Sequence, residues 1–108
     1  MAKRDRNFHD YVLYDLLGGL DGIASKPMFS GWGIFKNGKI FALINESELL
    51  LRGNEKTKEI FESGGGVQFE YEKKSHPKPV KLPYWSVPEE ILENRELLSE
   101  WVRVAIEN

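Results

Sequence analysis

Cysteine is absent from these 108 residues, and histidine and methionine occur only twice each. The first absence excludes disulfides, thiolate catalysis and cysteine-based zinc sites together, so the fold stands on packing. No apolar run approaches the roughly 18 residues that a membrane span requires, and the N-terminal MAKRDRNFHD is charged rather than leader-like. A cytoplasmic address is the expectation. An excess of positive charge is also missing: 15 basic residues stand against 17 acidic ones, a net charge of −2. Domains that wrap nucleic acid by bulk electrostatics are usually strongly basic. Lys3, Arg4 and Arg6, set beside Asp5, read as a solvated chain end.

What is present is enough apolar material for one core, 41% hydrophobic with 12% aromatic, in a chain of ordinary domain length. The expectation is a single domain over residues 1–108. Its most informative stretch is residues 26–52, KPMFSGWGIFKNGKIFALINESELLLR. Asn37-Gly38 is a strong hairpin signal, because both central residues of a type I′ turn need positive φ, which Asn tolerates and Gly accepts freely. A second reversal at Asn45-Glu46-Ser47 returns the chain to Glu48, Leu49, Leu50 and Leu51, so three strands follow in succession. In the strand 40–44, simple alternation puts Ile40, Ala42 and Ile44 on one face and Phe41 and Leu43 on the other. Both faces are apolar, which predicts a central strand covered at least partly on each side.

Before the meander, Asn7 is placed to cap a helix whose stripe is Phe8, Tyr11, Val12 and Leu16, widened by Leu13 and Leu17 and ended by Gly18-Gly19. Residues 20–25 read as a connection, after which Met28 and Phe29 enter the meander. After it, Asn54 is placed to cap a helix over 55–62, stopped by Ser63 and three glycines. Val67, Phe69 and Tyr71 alternate with Gln68, Glu70 and Glu72, as in a strand with one buried and one wet face. Val80, Leu82 and Tyr84 continue the alternation beyond a turn at 75–78, but Pro79 and Pro83 cannot donate to a ladder. That strand is therefore expected at an edge or to be irregular. Ser86-Val87-Pro88-Glu89 has capping-box spacing, and Asn94 opens a last helix through Leu97, Leu98, Trp101, Val102 and Ala105. The reading is α+β, order α-β-β-β-α-β-β-α-α: a five-stranded antiparallel sheet with helices packed mainly on one face.

Few residues advertise chemistry. His9 and His76 lie at a helix start and in a turn, and neither has a ligand or nucleophile partner at a recognisable spacing. Gly31, Gly33 and the run 64–66 lack the strand, glycine turn and helix order of a phosphate cradle, so turn formation and close backbone packing explain them better. The glutamates of the C-terminal helices form a wet face, with Glu89 and Glu90 favoured by the helix dipole. Lys73, Lys74, Lys78 and Lys81 form the one basic cluster, beside Tyr71, Tyr84 and Trp85. Cations interleaved with aromatics can hold phosphates and stack bases, while a solvated hairpin guarded against edge pairing is the plainer explanation. Trp101 is expected under the sheet, whereas Trp32 and Trp85 stand at strand ends, where recognition surfaces form.

The run KPMFSGWGIF, the following GKIFALI and LLLR, then FEY, PYWSVPEE and the Trp101 helix together resemble the TfoX N-terminal domain family. Ser30 replaces a glycine usual after Met-Phe, and Leu82 stands where methionine is common. The resemblance implies an α+β fold similar to secretion chaperones and an association with regulators of competence for DNA transformation. It supplies no catalytic residues. The expected function is accordingly a non-enzymatic regulatory or adaptor domain that binds a protein partner through Met28, Phe29, Gly31, Trp32, Gly33, Tyr84 and Trp85, a homodimer being one form of that contact. No metal or cofactor is expected. The alternatives are a nucleic-acid accessory protein using the lysine cluster, and an enzyme or small-molecule binder whose convergent polar groups only a folded pocket would reveal.

Overall fold

The computed structural model describes residues 6–28, 31–71 and 80–108. Along the chain lie α1 (Arg6–Asp10), a π-helical stretch (Tyr11–Leu16), β1 (Ile23–Met28), β2 (Gly31–Lys36), β3 (Lys39–Asn45) and β4 (Glu48–Arg52). Then follow α2 (Lys58–Ser63), β5 (Gln68–Tyr71), β6 (Val80–Ser86), α3 (Glu89–Leu92) and α4 (Arg95–Glu107). The strands form one antiparallel sheet in the order β1-β2-β3-β4-β6-β5. It has six strands rather than the expected five, because β1 begins in the second half of the stretch read as a connection. Pro27 conceals it in the sequence. Gly22 accepts a backbone bond from Asn37 at 2.9 Å, and alternation from that pair puts residue 27 at an outward-facing position of an edge strand, where a missing N–H costs nothing.

Local chemistry builds the meander as expected at its tips. Asn37 and Gly38 have φ of 51° and 86° and join β2 to β3 through the Lys36–Lys39 pair, the two positive φ values of a type I′ turn. The next turn places Glu46 at φ 57°. Between them the β2–β3 register shifts at Ile34/Phe35: Ile34 pairs with Ala42 and Phe35 with Ile40, which leaves Phe41 as the extra residue. This bulge overturns the simple alternation. Phe41 joins Ala42 and Ile44 in the helix-side core, while Ile40 sits with Phe35 and Met28 around Gly33 on the opposite face.

Of the two expectations for β6, an edge position or irregularity, the second holds: the strand lies inside the sheet, between β4 and β5. Its irregularity explains how. Gly53 N–H donates to Pro83 C=O at 3.0 Å, and the return bond that proline cannot make is replaced by the Asn108 side-chain amide, which donates to Gly53 C=O at 3.4 Å. On the other side the β5–β6 register shifts between Gln68 and Glu70, and Gln68 Nε2 donates to Leu82 C=O at 3.0 Å. Pro79 lies outside the described residues. The period-two reading of β5 holds only in part, since Val67 precedes the strand and is 68% exposed.

The helices form where turns or caps admit them. Asn94 caps α4 by accepting from Leu97 N–H. Asn54 accepts from Lys56 and Thr57 N–H, so it closes the turn that leads to α2, which starts at Lys58. Ser86 does not cap α3; its hydroxyl accepts from Val67 N–H at 3.0 Å and ties β6 to the start of β5. The first helix passes into π geometry at Tyr11, with Leu17 N–H reaching Val12 C=O at 2.9 Å. Each described helix contributes apolar residues to, or packs them against, one cluster with Trp32, Ile34, Phe41, Ala42, Ile44, Leu49, Leu51 and Trp85. The helices thus cover one face, as expected, and Trp101 packs edge-on against Phe61 at 5.1 Å beneath the sheet.

Gly64, just after α2, lies against Trp101 of α4, and a methyl group there would overlap that buried ring. Gly64→Ala is expected to cost about 1–3 kcal/mol in urea unfolding, the range for overpacking. Gly19→Ala, with nothing within 4 Å of the added carbon, is expected to be neutral or to stabilise by up to about 1 kcal/mol.

Candidate functional site

The face of the sheet away from the helices is built by register. Gly33 pairs with Leu43, Leu43 with Leu50, Phe35 with Ile40, and Arg52 with Tyr84. Leu43 and Leu50 are buried yet stand outside the helix-side cluster, and Met28, Phe35, Ile40 and Tyr84 are half-buried around them. Gly33 makes this surface possible: a methyl group at that position would run into Met28 Sδ and press on Ile40 and Phe35. Gly31 serves the backbone instead, since a methyl group there would overlap the carbonyl of Ile44.

Charges stand at the margin. Lys26 Nζ lies 5.6 Å from the Phe35 ring centroid, a cation–π contact. Arg52 donates through Nη1 to Ile40 C=O at 3.4 Å. Desolvation by the sheet pushes the Tyr84 phenol above its ordinary pKa, with Arg52 pulling the other way. Glu48, one turn from Glu46, has its carboxyl raised first by partial desolvation and then by that like charge. The result is an apolar centre with Lys26, Arg52 and Glu48 around it.

The structure divides the residues singled out in the sequence. Met28, Gly33 and Tyr84 come together on or beside this face, away from the described helices. Trp32 and Trp85 do not: they are 4% and 3% exposed and point into the helix-side core. Trp85 packs against Phe61, with ring centroids 6.2 Å apart, and donates from Nε1 to Glu62 Oε2 at 2.8 Å. Phe29, Lys73, Lys74 and Lys78 lie outside the described residues, as does His76. Lys81 is exposed on β6 and pairs in register with Glu70.

His9 has partners that one dimension did not reveal. Its buried ring packs at a tilt against Trp32, centroids 4.4 Å apart, with Arg6 Cζ 5.9 Å from the indole centroid. Nδ1 lies 2.9 Å from Asp10 Oδ1 and Nε2 lies 2.8 Å from Ser25 Oγ. In the neutral imidazole, Nδ1–H donates to Asp10 and Nε2 accepts from the Ser25 hydroxyl, which satisfies both nitrogens as burial requires. The group order is that of a nucleophile, base and orienter, but burial under Trp32 accounts for it as a polar clasp between α1 and β1. Sequence spacing hid it because Ser25 lies on the strand that Pro27 conceals.

Two measurements follow from these placements. Trp32→Ala and Trp85→Ala are each expected to cost about 3–5 kcal/mol in denaturant unfolding, as for buried tryptophans; changes within about 0.5 kcal/mol would instead mark surface residues. For Glu48, a folded-state pKa above the unfolded one means that the fold loses stability as pH rises through the carboxylate range. Glu48→Gln is expected to match the wild type near about pH 3 and to exceed it by up to about 0.5 kcal/mol at about pH 7, a solvent-screened magnitude, in thermal melts at both pH values.

No curated protein matches the chain at a significant level. The model of the TfoX N-terminal domain matches residues 15–108, a span that contains the whole sheet, α2, α3 and α4 and begins after the His9–Asp10 pair. The chain belongs to the TfoX N-terminal domain family.

Proposed function

We propose that this chain is a non-enzymatic regulatory or adaptor module, one domain working in the cytoplasm, that binds another protein through the face of its sheet away from the described helices. The supporting observation is the one-sided distribution of helices: every described helix packs against the face carrying Trp32 and Trp85, while Met28, Phe35, Ile40 and Tyr84 remain half-buried on the other. Membership of the TfoX N-terminal domain family supports a role connected with competence for DNA transformation. Contact through the face rather than an edge is favoured by the edges themselves. β1 carries Lys26 and Pro27, and β5 is four residues long with an irregular register, features that oppose strand addition.

The test is site-specific photo-crosslinking in cells. A crosslinking residue in place of Phe35 is expected to give one discrete adduct, whose mass distinguishes a second copy of this chain from a different protein. Ile40→Lys, which puts a charge among the half-buried apolar residues of the face, is expected to reduce that adduct at least about tenfold. The same residue in place of Glu100, on the helical side, is expected to give none. An adduct indifferent to Ile40→Lys, or shared by the Glu100 position, would overturn the reading.

A further inference from the structure

On the helical side, the end of the π-helical stretch and the loop after it stand against α4 and enclose a cavity of about 510 Å³, within the size range of small-molecule sites. Leu17, Leu98 and Val102 form its buried floor, and Leu16, Leu20 and Ile106 are its partly exposed apolar walls. Apart from Asp15, its polar side chains come from one stripe of α4. Arg95, Ser99 and Arg103 are spaced i, i+4, i+8, so the two guanidinium groups stand one turn to either side of the Ser99 hydroxyl. Among the described residues neither arginine makes an ion pair or a hydrogen bond.

That combination is unusual for a chain with net charge −2, in which acidic partners are plentiful. Asp15 also lines the cavity, and Glu96 and Glu100 stand with the same arginines on the outer side of the stripe, yet none of the three pairs with them. Five N–H donors on each fork match a carboxylate in two parallel bonds, and the apolar walls match a hydrocarbon tail. Leu20, 41% exposed at the mouth, is left poorly covered by the chain itself.

We infer that this cavity binds a small amphipathic carboxylate, an acyl chain whose head group lies on Arg95, Ser99 and Arg103 and whose tail lies over Leu16, Leu20, Val102 and Ile106. The site is on the opposite side of the sheet from the protein-contact face and does not depend on it. Its location in the fold explains the pairing of head and tail: one helix supplies the charges, and the glycine-flanked end of another segment supplies the lid of apolar groups.

The probe is decanoate below its micelle concentration, titrated into the full chain by calorimetry and by ¹H–¹⁵N correlation spectra, with decanol and acetate as comparisons. Expected are saturable binding at one site, amide shifts confined to residues 15–20 and 95–106, and weaker binding of both comparison molecules. Arg95→Gln with Arg103→Gln is expected to weaken decanoate binding at least about tenfold while leaving the melting temperature unchanged, since both side chains are exposed and unpaired. No saturable binding, decanol binding as tightly as decanoate, shifts on the open sheet face, or a double variant that binds as the wild type does would each overturn the assignment.

Discussion

Trp85 is the contact on which the remaining architecture depends. Its indole packs on Phe61 of α2, which in turn meets Trp101 of α4, and its N–H is held by Glu62 at 2.8 Å. The same residue pairs with Leu51 in β4 and with Gln68 in β5. One buried aromatic side chain thereby closes the non-local part of the sheet and fastens two helices to it. Burial of large aromatic groups outweighs the entropy of joining segments so far apart in the chain, and the hydrogen bond to Glu62 prevents the indole N–H from being stranded in the core. Gly53 and Gly64 fit the same constraint, since a side chain at either would collide with one of these rings.

A second constraint decides what the two faces of the sheet contain. The bulge at Ile34/Phe35 rotates the start of β3, so that Phe41 goes to the helices and Ile40 to the open face. Without that extra residue, alternation would put Ile40 beneath the helices and Phe41 on the other surface. The bulge therefore composes both the core and the candidate contact surface, and Gly33 provides the space in which Met28, Phe35 and Ile40 gather. Function, in this reading, follows from asymmetry: an aromatic core on one side with an arginine-lined cavity near its rim, and a second set of apolar residues on the other.

Much of the fold is legible in the residues because its determinants are local. The Asn37-Gly38 turn, the Asn94 cap and the amphipathic stripe of α4 each follow from chemistry within a few positions, and each forms. The features hidden from the sequence are those that need a partner. Pro27 disguises β1 because only its outward position in the ladder makes proline harmless. Pro83 points to an edge until Asn108 replaces the donor that it lacks. Ser25 and His9 meet where α1 packs on that same unexpected strand, and Arg95 and Arg103 come to line one cavity with the 15–20 segment only in the folded chain.

The amino-acid sequence by itself determined the α+β class, the antiparallel meander, the one-sided placement of the helices and the family, because periodicity, turn residues and motif order are properties of neighbouring positions. Tertiary structure alone decided that Trp32 and Trp85 are core, that β6 is internal, and that Met28 and Tyr84 share a surface with Phe35 and Ile40. The physical reason is that burial depends on what lies across the sheet. A tryptophan at a strand end and one at the centre of a core look the same until the pairing of β4 with β6 fixes which elements surround it.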